Sequence, residues 1–473
     1  MKKIGAYLIL LVIVISCTSD DRYESYNKDP KRPTIVEADL LFNSATKTLV
    51  ERMTTPNINV NIFRLMAQQW ATTTYPNESN YFLTGRTIPQ NFWSGMYQNV
   101  LLDLTSAQEI VSKDDNLRSD KKTTQVAQAE ILMIYAWQIL VDTFGDIPYS
   151  EGLKATEFPL PKYDDAASIY VDLITRLDVA IANLNGAGFE TDNLYFGDIG
   201  LWRKFATSLK LRLGIRLIDA NSSLAQNVVE SAYNLGVFDS NADNAQFKFL
   251  GISNPNPIWR DVVQSGRQDF VAANTMVDLM NDLNDPRLAV FFEDNLGAET
   301  YVGGIYGAIN TYVNFSHLGT LILEPTYPAC LIDYAEVSFN LAQAAQLGFA
   351  VGGSAEDYYN QGITASFEYW GVTNISDYLA NPDVAWATAQ GDWREKIGKQ
   401  FWLAMYNRGF EGWTVWRQMD SPTLNPPELT ERPVPTRYTY PVNEQNLNVQ
   451  NWSAASAAIG GDSQTTKLFW DTQ

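Results

Sequence analysis

His317 is the only histidine in the chain, so a serine or cysteine nucleophile would have a single side chain to draw on as its base. It stands in "NFSHLG", a loop sequence with aromatic neighbours, where a hydrogen-bonded structural histidine is the better fit. Cys17 and Cys330 are the only cysteines, and no Cys–His or His–His spacing suits a metal. Cys330, in "YPACLIDYAE" at a helix start, has no histidine, lysine or arginine beside it to stabilise a thiolate, and reads as a buried, unreactive thiol. In "DSNADNAQFKFL", Asp239, Asn241 and Asp243 take the first, third and fifth places of a calcium loop. Asn244 replaces the sixth-position glycine, however, and Leu250 replaces the twelfth-position glutamate. A plain turn is favoured there, calcium would need ligands from elsewhere, and no cofactor is expected. "YVGGIYG" (301–307) lacks the Lys-Ser/Thr of a phosphate cradle. A glycosidase pair among the 54 acids would not show itself by spacing in sequence, and none of them stands out.

The chain offers aromatic side chains in polar loops instead. Trp70, Tyr75, Tyr81 and Trp93 flank or occupy "TTTYPNESNYFLTGRT" (72–87), which also holds Arg86. Trp259, Tyr301, Tyr306 and Tyr312 lie in later loops. Sugars present C–H faces that stack on flat rings, while Asn, Gln and Arg satisfy the hydroxyls. A site that binds glycan without cleaving it needs little else. The competing fate of each ring is to cover the core or a partner interface, which is the commoner one for a single aromatic residue.

The elements that must position these loops are helical. Over 166–184, Ile169, Tyr170, Leu173, Ile174, Leu177, Ala180, Ile181 and Leu184 form one apolar stripe, preceded by Asp164 and Asp165 as cap and first-turn acids. Trp202, Phe205, Ala206, Leu209, Leu213 and Leu217 make a second stripe, with Arg203, Lys204, Lys210, Arg212 and Arg216 on the remaining faces. The segment 126–141 is apolar nearly all round and predicts a buried helix. Tyr334, Val337, Leu341, Ala344 and Ala345 form another stripe, broken by "GFAVGG" before a helix that starts near Ser354, which predicts an antiparallel hairpin. Ala355, Tyr359 and Gly362 fall at the Ala-x-x-x-Phe-x-x-Ala spacing of a tetratricopeptide second helix. Segments 72–91, 237–260, 295–328 and 419–473 carry the Gly, Pro, Asn and Thr of turns, irregular loops and short strands. The fold expected is mostly α, a tetratricopeptide-like scaffold with large irregular loops and a few short strands, forming one domain over 36–473.

The N-terminus speaks to location. Lys2 and Lys3, an apolar run from Ile4 to Ile15, and Ser16 before Cys17 have the layout of a signal peptide over 1–16, too short to span a bilayer. A cysteine directly after the apolar run resembles the lipobox of bacterial lipoproteins, which makes Cys17 the expected lipid attachment site. Residues 17–35 are polar, with Pro30 and Pro33, and read as a flexible tether. Asp20 and Asp21 resemble the signal that sends lipoproteins of some Gram-negative glycan foragers to the outer cell face. The net charge of −20 repels nucleic acid and anionic head groups, so neither is expected as a partner.

Taken in order, the motifs resemble the SusD/RagB family of surface lipoproteins. They are "DTFGDIPYSEGL" (142–153), "LWRKFATSLKLRLGIR" (201–216), "DPRL" (285–288), "YPACLIDYAEVSFNLAQAAQLG" (327–348) and "AEDYYNQGITASFEYWG" (355–371), then "FWLAMYNRGFEGWTVWR" (401–417), "PVPTRYTYPVNEQNLN" (433–448) and "GGDSQTTKLFWD" (460–471). The resemblance implies a tetratricopeptide-like scaffold with loops on one side and a non-enzymatic role. That role is capture of oligosaccharide at the exterior of the outer membrane for a SusC-like TonB-dependent transporter. Some relatives handle peptides, so oligopeptide capture is the alternative, with a secreted glycan hydrolase behind it. By position in the family, the segment before the helix containing "FWSGMYQNV" and the loops before the hairpin line the ligand site. This brings forward Tyr75, Tyr81, Arg86, Trp93, Tyr301, Tyr306 and Tyr312.

Overall fold

The computed structural model describes residues 36–472, so the expected signal peptide, Cys17 and the whole tether lie outside the described residues. Numbering only helices of nine residues or more, α1 is Ala38–Thr54, α2 Ile88–Met96, α3 Leu102–Lys113, α4 Ser119–Phe144, α5 Ala166–Ala182 and α6 Ile199–Arg216. They are followed by α7 Ser222–Leu235, α8 Asn274–Asp282, α9 Tyr334–Gln346, α10 Ala355–Tyr369, α11 Trp393–Ala404, α12 Gly409–Met419 and α13 Val449–Ala458. Successive helices pack as neighbours: α3 on α4, α4 on α5, α6 on α7, α9 on α10 and α11 on α12. The result is the helical-repeat scaffold that the stripes predict. Among the described residues four short strands make two antiparallel ribbons, β1 (Trp70–Thr72) with β3 (Phe270–Ala272) and β2 (Gln246–Phe247) with β4 (Ala329–Cys330). One continuous core runs from Ala38 to Ala455. Among the described residues no helix is long and apolar enough to cross a membrane.

Local chemistry sets the boundaries. Asp165 caps α5 by accepting from the Ser168 N–H, and Asp198 does the same for α6 from Leu201. Ser354 and Asp357 form a reciprocal capping box at α10. At the α9–α10 crossing, a Cβ on Gly362 would stand 2.8 Å from the Phe339 ring, so the small residue at the third position of the repeat spacing is a packing requirement. The long helix α4 is buried almost all round from Thr124 to Phe144, as its composition predicts. A π-helical turn, Tyr97–Leu101, joins α2 to α3.

Three expectations are corrected. Helix α2 begins at Ile88, inside the 72–91 segment expected to be irregular. Helix α13 falls inside 419–473, where Ala455 is its only buried residue, so no apolar stripe marks it. The third correction is the largest. Lys210, Arg212 and Arg216, expected only on the faces of α6 outside its apolar stripe, are themselves buried.

Lys210 pairs with Asp178 of α5, and Arg212 and Arg216 belong to a seam of ion pairs between helices. Arg212 reaches Glu336 of α9 through Nε (2.5 Å) and Nη2 (2.8 Å), and its Nη1 lies 3.1 Å from Glu411 of α12. Arg216 donates to the other Glu411 oxygen at 2.8 Å, and its Nε lies 3.6 Å from Asp142 at the end of α4. Arg408 bridges Asp333 at 3.0 Å and Glu336 at 2.5 Å. Asp142 also accepts from the Tyr170 hydroxyl (2.5 Å) and Trp470 Nε1 (2.9 Å), which ties the C-terminal segment to α4 and α5. Arg417 donates to the Asp142 carbonyl at 2.6 Å and lies 3.5 Å over the Trp413 ring. Arg437 donates to the Phe144 carbonyl. Thus "DTFGD", "LRLGIR", "IDYAE", "NRGFEGWTVWR", "PTRY" and "FWD" are parts of one buried polar network. The charges must be paired because an isolated one would be too costly to desolvate. Arg287 of "DPRL" repeats the device separately, paired with Asp285 at 2.5 Å and held by Ser366 and Tyr378.

Candidate functional site

The loops gather on the β1/β3 ribbon. Past β3, Gly304 bridges Ala273, its N–H donates to the Ala272 carbonyl, and Ser316 accepts from the Ala272 N–H. Asn310 donates to the Thr72 carbonyl at 3.0 Å, and Asn80 donates to the Gly307 carbonyl at 2.7 Å. The Glu428 N–H donates to the Tyr306 carbonyl, bringing a third loop alongside. Gly307 is required there: its φ is +75° and a Cβ would stand 2.5 Å from Pro427. Segments 72–87 and 300–316, picked out separately by their aromatics, are therefore one surface.

Several of the expected ligand-binding rings turn out to be what joins these loops. Tyr81 and Tyr306 are buried with centroids 6.0 Å apart. Tyr81 accepts from Gln68 at 3.2 Å, and Tyr306 donates to the Leu65 carbonyl at 2.6 Å. Burial pushes the Tyr81 phenol up to about 12 and Tyr306 well above its ordinary value, so both stay neutral. Tyr81 holds a left-handed backbone, φ 61°, that this packing supports. Trp93 is also buried, edge-on to Phe144 at 4.9 Å and against Tyr97 at 5.0 Å. It lies on the inward face of α2, so its ring serves the core. Trp70 is equally buried, with its Nε1 toward the Tyr406 hydroxyl. None of these four rings offers a face to a ligand.

Tyr301 and Tyr312 are half-buried. Tyr312 stacks on His317 with centroids 3.9 Å apart, and His317 Nδ1 lies 3.5 Å from Glu293. Burial, then Glu293, raises the Tyr312 phenol; burial, then Asp294 and Glu299, raises Tyr301. The lone histidine is thus a structural member of this loop, as its setting in sequence predicts. Cys330 donates to the Ile332 carbonyl, and burial pushes its thiol up. In the 239–250 segment, Lys204 Nζ binds Asp239 at 2.8 Å and Asp243 at 2.9 Å, so a lysine occupies the space between the two carboxylates of the calcium-like spacing. Among the described residues no group of three or more His, Cys, Asp or Glu side chains is placed to hold a metal.

Tyr75 and Arg86 do come together. They line an open cleft of about 270 Å³ with Asn57, Asn59, Asp261, Ser265, Arg267 and Asp269. The guanidinium of Arg86 lies 5.1 Å from the Tyr75 ring centroid and that of Arg267 lies 5.6 Å from it. Arg86 uses its Nε on buried Glu78 at 2.6 Å, and Arg267 uses its Nε on Asp269. Asp261 accepts from Thr55 at 3.0 Å and from Arg260 at 3.0 Å. Arg267, Asp261 and Asp269 were invisible in sequence. The segment 261–269 falls between the recognised loops, and its "GRQD" gives no sign that it meets Tyr75 across β1 and β3.

A family model described as "Starch-binding associating with outer membrane" matches residues 30–441. Among solved structures, a SusD homolog from Bacteroides uniformis is 28% identical, with a TM-score of 0.79 over 92% of this chain and 99% of its own. A chitin-binding SusD homolog from Flavobacterium johnsoniae is 25% identical, with a TM-score of 0.77 over 92% of this chain and 97% of its own. A structure described only as a chitin-binding protein is 25% identical, with a TM-score of 0.80 over 92% of this chain and 100% of its own. A search of curated proteins returns no match. The breadth of the family match, and a scaffold that superposes over nearly the whole length of these relatives, lead to one conclusion: the chain belongs to the SusD-like family.

Proposed function

We propose that this protein captures an oligosaccharide at the outer membrane and delivers it, uncleaved, to a SusC-like TonB-dependent transporter. The observation that carries this reading is the family match over residues 30–441, whose description joins starch binding to outer-membrane association. Two relatives are described as chitin-binding, which supports glycan as the ligand class. The cleft beside Tyr75 is the place where such a ligand meets polar side chains on an open surface. Anchoring is through acylated Cys17, with 17–35 as the tether and Asp20 and Asp21 as the address that brings the protein to the cell exterior. The multiple acyl chains of such an anchor supply the hold that one chain does not.

Calorimetric titration against an oligosaccharide panel, with a reducing-end assay on the same mixtures, tests this. The expected result is saturable binding to a saccharide and no new reducing ends. Steady release of reducing ends would replace capture by hydrolysis, and binding of peptides with no saccharide bound would move the ligand class. Co-purification of a TonB-dependent transporter with the full lipoprotein, lost when the protein is removed from its native membrane, tests the partner.

A further inference from the structure

Resting on that reading, we infer that the cleft is built for an acidic saccharide, one whose carboxylates are held by the open guanidinium forks of Arg86 and Arg267. Tyr75 is the ring in this cleft expected to stack on sugar. Two guanidinium groups already lie within 6 Å of its centroid, at 5.1 and 5.6 Å. Its π-system holds the arginines in place instead of serving as a free platform.

Counting donors and acceptors in the cleft gives the ligand's chemistry. Each arginine spends its Nε on a protein carboxylate, Arg86 on Glu78 and Arg267 on Asp269. Among the described residues no acceptor engages the terminal amino groups of either. Much of the acceptor capacity is committed: the two Asp261 oxygens to Thr55 and Arg260, Asp269 Oδ2 to Arg267, and Asn57 Oδ1 to the backbone and side-chain N–H groups of Asn59, which leaves Asp269 Oδ1 and Asn59 Oδ1 against four terminal guanidinium nitrogens. Ser265 donates its hydroxyl proton to the Asp261 carbonyl. What remains open is rich in donors, in two planar forks. A neutral sugar brings hydroxyls that donate as well as accept, and half of that capacity would find few partners here. A carboxylate brings two acceptor oxygens at the spacing a guanidinium fork matches, in a charge-assisted pair.

The net charge of −20 opposes an acidic ligand at a distance. At physiological salt that field fades over about 8 Å, so contact with the two forks decides the outcome inside the cleft. The arginines are fixed by ring and carboxylate contacts, so little ordering is left to do on binding.

The test uses the full chain in mild detergent, titrated calorimetrically with acidic hexamers of galacturonate and mannuronate and a hyaluronan hexamer, then with neutral maltohexaose, cellohexaose and chitohexaose. The expected result is that one acidic oligomer binds at least about tenfold tighter than every neutral one, and that its methyl ester loses this advantage. Arg267→Gln and Arg86→Lys should each weaken it about tenfold or more, with the melting temperature unchanged. Arg86→Lys keeps a cation beside Glu78 while removing the fork, so a loss cannot be blamed on Glu78. A neutral oligomer bound as tightly as the acidic ones, or acidic binding indifferent to both substitutions, would overturn the inference while leaving glycan capture standing. Binding of no oligosaccharide would overturn both.

Discussion

Arg212 and Arg267 carry the same side chain in opposite circumstances. Arg212 is fully buried and every nitrogen of its guanidinium has a partner: Glu336 twice, Glu411, Gln138 and the Leu331 carbonyl. The Arg267 side chain is 47% exposed and commits one nitrogen, its Nε, to Asp269. The difference teaches where to look for function in an arginine-bearing fold of this kind. A guanidinium with all donors spent is part of the scaffold, however conspicuous its motif. One that is half spent and faces a cleft is available to a ligand. The buried seam links α4, α6, α9 and α12, whereas the residues that line the cleft lie outside those helices.

The comparison is tested hardest by breaking the seam. Glu336→Ala takes the bidentate partner from Arg212 and leaves Glu411 for Arg212 and Asp333 for Arg408 as their remaining carboxylates inside the core. The expected loss is about 3–5 kcal/mol in urea unfolding, since two buried guanidinium groups lose the carboxylate they share. The seam also sets an acid limit. Burial would raise the Glu336 carboxyl, but Arg212 and Arg408 more than offset this and hold it down to about 2, from 4.5. A carboxyl depressed on folding contributes stability that is complete above its unfolded value and is lost as pH falls through the folded one. The wild-type protein should therefore lose this contribution between pH 4.5 and about 2. Glu411 works in the other sense, since burial, only partly countered by Arg212, raises its carboxyl. Glu336→Gln has nothing to titrate at this position, so its stability should fall less steeply over that window in acid-titration melts. An equal slope in both proteins would show that the seam's acid response lies elsewhere.

A smaller effect is expected one layer out, where buried tyrosines pin the loops. Tyr306→Phe removes the hydroxyl that donates to the Leu65 carbonyl and keeps the ring that packs on Tyr81. The cost should be about 1 kcal/mol, the net worth of one hydrogen bond. Local hydrogen exchange over 300–316 should rise more than exchange in α4. A uniform rise throughout would place this contact in the global fold with the seam.

How much of this could be read from the sequence follows the same division. Helices α5 and α10 are legible because burial on one face leaves a period of 3.6 residues. Helices α6 and α9 show the same stripe although they are buried nearly all round, their other faces being filled by polar and paired charged side chains. Helix α13 is not legible, because Ala455 alone among its residues is buried. The motifs that mark the family were legible as strings. Their purpose was hidden, since Asp142, Arg216 and Glu411 are far apart in the chain and meet only in the core. At the site, Tyr75 and Arg86 were found because they share one polar loop. Tyr81, Tyr306 and Trp93 were grouped with them because an aromatic residue in a Gly- and Asn-rich segment looks alike whether it faces solvent or anchors the loop from beneath. Arg267 was missed because its place in the cleft depends on the β1/β3 register, which pairs Thr72 with Phe270.

The smallest expected effect is the one that most sharpens the contrast. Arg267→Gln removes a guanidinium as large as that of Arg212, together with its contact to Asp269 and to the Tyr75 ring. Because that side chain is 47% exposed, water replaces most of what is lost, and an exposed pair of this kind is worth about 0–1 kcal/mol. Urea unfolding should shift by no more than about 0.5 kcal/mol, several-fold less than for Glu336→Ala. The melting profile should stay a single transition, with the cleft intact for titration. A loss of several kcal/mol would mean that Arg267 braces the 265–269 turn against β1. The cleft arginines would then belong with the seam, and the boundary between scaffold and site would have to be drawn inside the loops, closer to Arg86.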